Sequence, residues 1–222
     1  MKICQTISTV LVTIVILATA AAQEPKPAPR PLPTLIEVIA SEKLEGGVYS
    51  NAFLGLRLPI PAGWTVLEDK TKKQLMELGK KYLKPTEATP QANLDESISN
   101  TAVLLTMFQS PPGEPVQSGL ALAIERLPVA TITTTPYVEN IKQLLTENST
   151  IKYTLQNDVH EQTINGQTFV ALDVFAMMEN LRVNQKYACQ VRKGFAVCFI
   201  ETYGSETQLT ALNQLVGGLT FK

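Results

Sequence analysis

The stretch QTFVALDVFAM, residues 167–177, decides the fold because it combines the period of a β-strand with apolar side chains on both sides. One face carries Val170, Leu172 and Val174, and the other carries Phe169, Ala171, Phe175 and Met177. Such a strand is typical of the middle of a sheet that is covered on both faces. Residues 102–108 are equally apolar, so we expect an α+β fold. The expected architecture is a three-layer α/β/α sandwich around a central, antiparallel-rich sheet, rather than two packed sheets.

Turn residues beside this stretch predict two hairpins. Asn165–Gly166 is a strong type I′ turn signal, and Lys193–Gly194 is a weaker signal of the same kind. Further strands are predicted at Val48–Phe53, Leu56–Ile60, Ala102–Gln109, Leu120–Arg126, Tyr153–Thr163, Lys186–Arg192 and Phe195–Tyr203.

Three amphipathic helices are predicted to cover the sheet. The first, residues 71–84, begins with a capping-box pattern between Thr71 and Gln74. The second begins at Thr135, with Pro136 in the favoured first position. The third begins at Ser205 and ends at residues 217–218, which are both glycine.

Composition excludes several classes of protein. The chain has 222 residues, of which 45% are hydrophobic and 18% charged, with a formal net charge of −1. This balance argues against a disordered chain and against a nucleic-acid reader, which needs basic residues to neutralise phosphates. One long apolar segment is too few for a polytopic membrane protein. We expect a globular domain behind a targeting segment.

Residues 1–22 have the pattern of a secretory signal peptide. Lys2 precedes an apolar core, and residues 20–22 are small alanines, so we predict cleavage between Ala22 and Gln23. An uncleaved anchor is the alternative; after cleavage no stable membrane span would remain. Residues 23–46 form a predicted proline-rich tether and lead-in. Prolines at five alternate positions within residues 24–34 exclude helix and sheet in that stretch. The expected location is periplasmic or extracellular.

Two cysteines remain after cleavage, Cys189 and Cys198. If Lys193–Gly194 is a two-residue loop, they lie equally far from the turn and face each other in a non-hydrogen-bonded pair. Export then favours a disulfide between them. Two buried thiols are the alternative. A redox-active pair is disfavoured because the surrounding residues are apolar and provide no activating charge.

The N-terminal part of the domain resembles the PsbP-like family. The matching elements are VYSN at residues 48–51, LGL at 54–56 and PAGW at 61–64. The resemblance covers residues 47–222 as one domain, and it implies short strands, a helix, a meandering sheet and a C-terminal helix. It also implies an exported, mostly non-enzymatic accessory protein. No binding residue is carried over, because Trp64, Gly55 and Gly63 match as core and turn residues.

No catalytic, cofactor or metal site is predicted. The chain has a single histidine, His160, which argues against most histidine-dependent nucleophilic catalysis and histidine-rich zinc sites. Asp158 would share a strand face with His160, next to Glu161, but no further metal ligand is signalled nearby. Asp95 and Glu96 are taken as surface carboxylates. Residues 85–100 are either a surface insertion or a binding loop.

Three functions remain open at this point. The first is a non-catalytic protein that docks to another envelope protein or assembly. The second is a small-molecule or lipid carrier with a groove between sheet and helix. That groove would be lined by Phe169, Phe175, Met177 and Met178, although core packing is the simpler role for them. A carboxylate-based hydrolase is the least favoured.

Overall fold

A computed structural model describes residues 33–86, 91–109, 115–129, 131–178 and 180–221. The predicted signal peptide, its cleavage site at Ala22–Gln23 and residues 23–32 of the predicted tether lie outside this range. Within the described residues, no helix combines the length and apolar character needed to cross a membrane.

Helices and strands account for most of the described chain. The helices are α1 (Leu35–Ala40), α2 (Asp69–Lys80), α3 (Gln91–Ser99), α4 (Thr134–Gln143), which continues into a π-helical turn (Leu144–Asn148), and α5 (Glu206–Gly217). The strands are β1 (Glu42–Glu45), β2 (Val48–Asn51), β3 (Leu56–Pro59), β4 (Thr65–Val66), β5 (Thr101–Gln109), β6 (Ser118–Arg126), β7 (Tyr153–Ile164), β8 (Gln167–Met178), β9 (Leu181–Arg192), β10 (Phe195–Tyr203) and β11 (Thr220–Phe221).

The central sheet has seven strands in the order β4-β5-β6-β10-β9-β8-β7, and every pairing is antiparallel. Its middle strands are apolar on both faces, as the sequence predicts. On β8, Val170 and Leu172 pack into one core, while Phe169 packs into a second core on the opposite face.

Helices cover both faces of this sheet, which confirms the α+β class. On one face, α2, α3 and α4 pack over a core that includes Tyr187 and the two cysteines. On the other, α1 and α5 share the outer layer with a second sheet of four strands, in the order β1-β2-β3-β11. Sequence patterns did not predict this second sheet as a unit, because its strands are only two to four residues long.

Both predicted turns form with the expected backbone. Asn165 and Gly166 have φ of +44° and +76°, and Lys193 and Gly194 have φ of +52° and +82°. Positive φ at both central positions defines the type I′ turn, whose twist matches that of the flanking strands.

Helix starts were predicted with mixed success. Ser205 caps α5 by accepting a hydrogen bond from the amide of Gln208, as expected. In contrast, α2 begins at Asp69 and not at Thr71, so the predicted capping box is wrong. Helix α4 begins at Thr134, two residues before the predicted first helical position, so Pro136 occupies its third position instead of its first. Residues in the first helical turn lack intrahelical partners for their N–H groups, so proline is tolerated there too.

The segment 85–100, expected to be a surface insertion or a binding loop, contains helix α3. Leu94 joins the core, and the hydroxyl of buried Ser97 donates a 2.5 Å hydrogen bond to the carboxylate of buried Glu125. The carboxylate of Glu125 also accepts a hydrogen bond from the hydroxyl of Tyr137 on α4, at 2.9 Å. The helix is therefore part of the packed layer, and the loop interpretation is wrong for residues 91–99.

Candidate functional site

The two cysteines lie opposite each other in the β9–β10 hairpin, in the predicted register. Their Cα atoms are 4.1 Å apart, the close approach expected of a non-hydrogen-bonded pair, and a disulfide joins their sulfur atoms. Both side chains are buried in the core under α4. The disulfide is a structural cross-link within one hairpin.

Asp158 and His160 do not share a face of β7, contrary to the sequence prediction. The strand has a bulge: Asn157 pairs with Asp173, and His160 pairs with Ala171, so three steps on β7 match two on β8. An extra residue rotates the following side chains to the other face. Asp158 therefore forms a 2.8 Å ion pair with Lys142 of α4, whereas Nε2 of His160 lies 3.8 Å from the carboxylate of Asp173.

Three charged side chains form a row across neighbouring strands on the face that α5 covers. Register places Asp173 of β8 opposite Lys186 of β9, and Lys186 opposite Glu201 of β10. The exposed fractions of these side chains are 11%, 8% and 0% respectively. We call this set the charged row. It is a buried charge arrangement of a kind that is costly unless the charges are compensated.

Compensation within the charged row is uneven. The ammonium of Lys186 lies 3.1 Å from Oε1 of Glu201 and donates to Oδ1 of Asn213 on α5 at 2.9 Å. Asp173 accepts a 2.9 Å hydrogen bond from the amide of Asn157, and its nearest basic group in the described chain is the imidazole of His160. The ammonium of Lys186 is thus engaged by Glu201 and Asn213, while Asp173 has the imidazole of His160, and no lysine or arginine within 4 Å, as its ion-pairing neighbour in the described chain.

Burial shifts the pKa values of two groups on this face, Glu201 and Tyr203. Desolvation raises the pKa of Glu201, Lys186 opposes that rise, and the negative charge of Asp173 adds to it. Burial and the neighbouring carboxylates of Asp173 and Glu201 raise the pKa of Tyr203 to about 12.

A polar cavity of about 350 Å³ opens above the charged row, between β7–β9 and α5. Asp173 and Lys186 form part of its wall, and His160, Glu161 and Gln162 line it from β7. Leu209 and the ring of Tyr203 contribute its apolar portion. A volume of this size matches sites that hold small organic molecules.

A second depression of about 380 Å³ lies at the opposite end of the sheet, and we call it the edge groove. It is lined by Ile39 of α1, Glu42 of β1, residues 101–103 of β5 and one side of α2. Both sheets present an edge here. Strand β1 is the outer strand of the small sheet, and β4 pairs only with Met107 and Phe108 of β5.

Side chains of α2 and β1 define the charge of the edge groove. The ammonium of Lys72 donates to the backbone carbonyl of Leu104 at 2.8 Å and forms a 2.7 Å ion pair with Asp69. It thereby caps the edge of β5 one residue beyond the groove. Glu42 accepts a hydrogen bond from the hydroxyl of Tyr49, and partial burial raises the pKa of its carboxyl.

Exposed apolar side chains border the edge groove. Ile36 and Ile39 lie three residues apart on α1 and are 78% and 39% exposed, while Leu44 on β1 is 54% exposed. Residues three apart share a helix face, and Leu44 shares a strand face with the groove residue Glu42. We call Ile36, Ile39 and Leu44 the apolar rim.

The apolar residues proposed from the sequence as a carrier groove do not come together. Phe169 is fully buried and packs edge-to-face near Phe199, with ring centroids 6.0 Å apart. The guanidinium of Arg182 covers Phe175, and Met177 is 58% exposed. Met178, the next residue along the strand, points to the other face. The space between the sheet and α5 is instead the polar cavity.

One signal in the sequence could have revealed part of the charged row. Lys186 and Glu201 are equidistant from the Lys193–Gly194 turn, so the symmetry that pairs the cysteines also pairs them. The same reasoning applied to the Asn165–Gly166 turn would place Asp158 opposite Asp173, which the bulge prevents. The position of that bulge has no clear signature in the sequence.

Neither a known family model nor a curated protein matches this chain. Similar solved structures include cyanobacterial PsbP from Synechocystis, at 13% identity and a TM-score of 0.48, covering 82% of this chain and 94% of that one. They also include LpqN, described as involved in cell envelope biogenesis of Mycobacterium tuberculosis, at 14% identity and a TM-score of 0.44. That match covers 75% of this chain and 83% of LpqN. The neighbours thus include a member of the family that residues 48–64 resemble. Identities this low describe a distant likeness of fold, so function is inferred below from this chain's own residues.

Proposed function

We propose that this chain is an exported, non-catalytic accessory protein that docks to another envelope protein through the edge groove. The observation that carries the proposal is the meeting of two open strand edges beside the apolar rim. Exposed edges offer unpaired backbone N–H and C=O groups, which natural proteins usually cover, cap or use for binding. Exposed apolar side chains beside such an edge are typical of an interaction surface.

The proposed occupant is an extended segment of the partner protein. Such a segment adds as a strand to a free edge, with its backbone hydrogen bonds giving affinity and side-chain pockets giving specificity. Residues 42–45 of β1 and 101–103 of β5 are the available edges, and Ile39 and Leu44 are the apolar contacts. Lys72 limits the open part of β5 by capping Leu104.

Export is supported by the disulfide, because such bonds persist in oxidising compartments and are rare in the cytosol. Cleavage between Ala22 and Gln23 remains a prediction. The proposal gives His160 no catalytic role; its ring lies near the carboxylate of Asp173 and the backbone carbonyl of Asp158. In the described residues no three His, Cys, Asp or Glu side chains are placed to hold a metal ion.

Site-specific photo-crosslinking in the native cell tests the docking proposal. A photoreactive residue replaces Ile39 or Leu44 in the rim, and Met177, which is also exposed and lies on β8, is the matched control position. We expect the same discrete adduct at positions 39 and 44, and none at position 177. No adduct at the rim, or an identical pattern at all three positions, would contradict the proposal.

A further inference from the structure

The polar cavity under α5 has hydrogen-bonding capacity that the protein itself does not use. Oε1 of Gln162 is buried, has no hydrogen-bond partner in the described chain, and belongs to a residue that lines the cavity. Asp173 is mostly buried and spends one oxygen on the amide of Asn157. A carboxylate has about four acceptor sites, so most of the capacity of Asp173 remains free.

Two of the donors in the same wall are already engaged. The ammonium of Lys186 binds Glu201 and Asn213, and the side-chain amide of Asn157 binds Asp173. Among the groups that line the cavity, the carboxylate of Asp173 and Oε1 of Gln162 are acceptors with unused capacity. Glu161 pairs with Val170, which packs on the α4 side of the sheet, so its side chain belongs to the other face of β7. Since Lys186 and Glu201 offset each other, Asp173 carries the remaining negative charge of the charged row.

We propose that the polar cavity binds a small organic ammonium compound, with the ammonium group at Asp173 and Gln162. A mostly buried carboxylate gains from a nearby cation, and an ammonium group supplies the positive charge and the N–H donors that Asp173 and Gln162 can accept. The carbon skeleton lies against Leu209 and the ring of Tyr203.

A bare metal ion fits this site poorly. The described residues place no group of three or more His, Cys, Asp or Glu for a metal ion, and about 350 Å³ is roughly ten times the volume of one water molecule. The site is separate from the edge groove, since β7 and β5 lie at opposite ends of the sheet with four strands between them. The inference therefore stands independently of the proposed docking function.

Calorimetric titration with matched probes tests the inference. Glucosamine and putrescine are the ammonium probes, and glucose is the neutral control for glucosamine. We expect at least one of the two amines to bind the wild-type chain. If glucosamine binds, it should bind at least tenfold more tightly than glucose. Binding of glucosamine alone identifies an amino-sugar site, and binding of putrescine alone identifies a polyamine site.

Two substitutions locate the binding. Asp173→Asn removes the charge and should weaken amine binding at least tenfold. Asp158→Asn is the matched control, because Asp158 lies on β7 but faces α4 and should leave binding unchanged. Gln162→Leu removes the free acceptor Oε1 and leaves the three residues of the charged row unchanged, so it should weaken amine binding severalfold. This variant replaces Asp173→Asn as the test if Asp173→Asn fails to fold. Absence of amine binding, glucose binding as tightly as glucosamine, or equal losses in the Asp173 and Asp158 variants would overturn the inference.

Discussion

Removing the cross-link between β9 and β10 should lower stability by an amount that the structure sets. Nine positions separate Cys189 from Cys198, so the disulfide closes a short loop. In the chain-entropy description a loop of this length contributes about 2.7 kcal/mol to the free energy of unfolding. For a domain of this size, that corresponds to a fall in Tm of roughly 5–10 °C.

The assay is equilibrium urea unfolding of the mature chain with and without reductant. Because the disulfide is buried, reductant reaches it mainly in the unfolded chain, so samples are equilibrated across the whole denaturant range. The double variant Cys189→Ala/Cys198→Ala is the control and should not respond to reductant. It should be less stable than the oxidised wild type by at least the same amount, since both buried sulfur atoms are lost. Two free thiols in wild-type protein prepared without reductant would refute the reasoning. So would a free energy of unfolding that reductant leaves unchanged.

Two further predictions concern the turn and the charged row. Gly166 has a φ of +76°, so Gly166→Ala should lower the free energy of urea unfolding by about 1–2 kcal/mol. Gly217→Ala, at the end of α5, is the control and should be neutral or slightly stabilising. Equal effects of the two substitutions would contradict the explanation from left-handed backbone at residue 166. Glu201→Gln should cost about 3–5 kcal/mol because it leaves Lys186 buried without its partner, and Lys186→Met combined with Glu201→Leu should recover most of that loss. The raised pKa of Glu201 means that the native state keeps a proton which the unfolded chain has lost. Its contribution to stability is therefore complete below the ordinary glutamate pKa and declines as pH rises through the raised value. This decline in the free energy of unfolding with rising pH should be absent in Glu201→Gln. If the decline remains in that variant, another group causes it.

Much of the central sheet could be predicted because local rules and tertiary packing agree there. The Lys193–Gly194 turn sets the register of the β9–β10 hairpin, and the Asn165–Gly166 turn sets that of β7–β8 as far as His160. The apolar stretch of β8 correctly indicates an inner strand covered on both faces, although β8 lies beside the edge strand β7 and not at the middle of the sheet. Helix α5 was predicted with its cap because Ser205 has the favoured residue type at the right spacing from Gln208.

Other elements escaped prediction for identifiable reasons. Helix α3 has few apolar residues, and its buried contact depends on a hydrogen bond from Ser97 to Glu125, 28 positions away. The start of α2 has no side-chain cap, so the attractive pattern at Thr71 pointed to the wrong residue. For α3, the contact with distant Glu125 outweighs the local signal.

The polar cavity shows most clearly what could not be predicted from the sequence. Asp173, Lys186 and Glu201 come from three strands, and the contribution of β7 depends on a bulge after Asn157. One extra residue in the strand decides whether Asp158 or Asn157 faces Asp173. Sequence periodicity assumes a regular strand, so it assigned Asp158 and His160 to the same face.

The most direct test of the docking account is amide hydrogen exchange of the chain alone and in complex with the partner recovered by crosslinking. The account predicts slower exchange on binding in residues 42–45 of β1 and 101–103 of β5, because a partner strand would occupy those open edges. Exchange in β7 and α5, around the polar cavity, should stay unchanged. Protection confined to β7 and α5, with β1 and β5 unaffected, would contradict the assignment of the edge groove as the docking site.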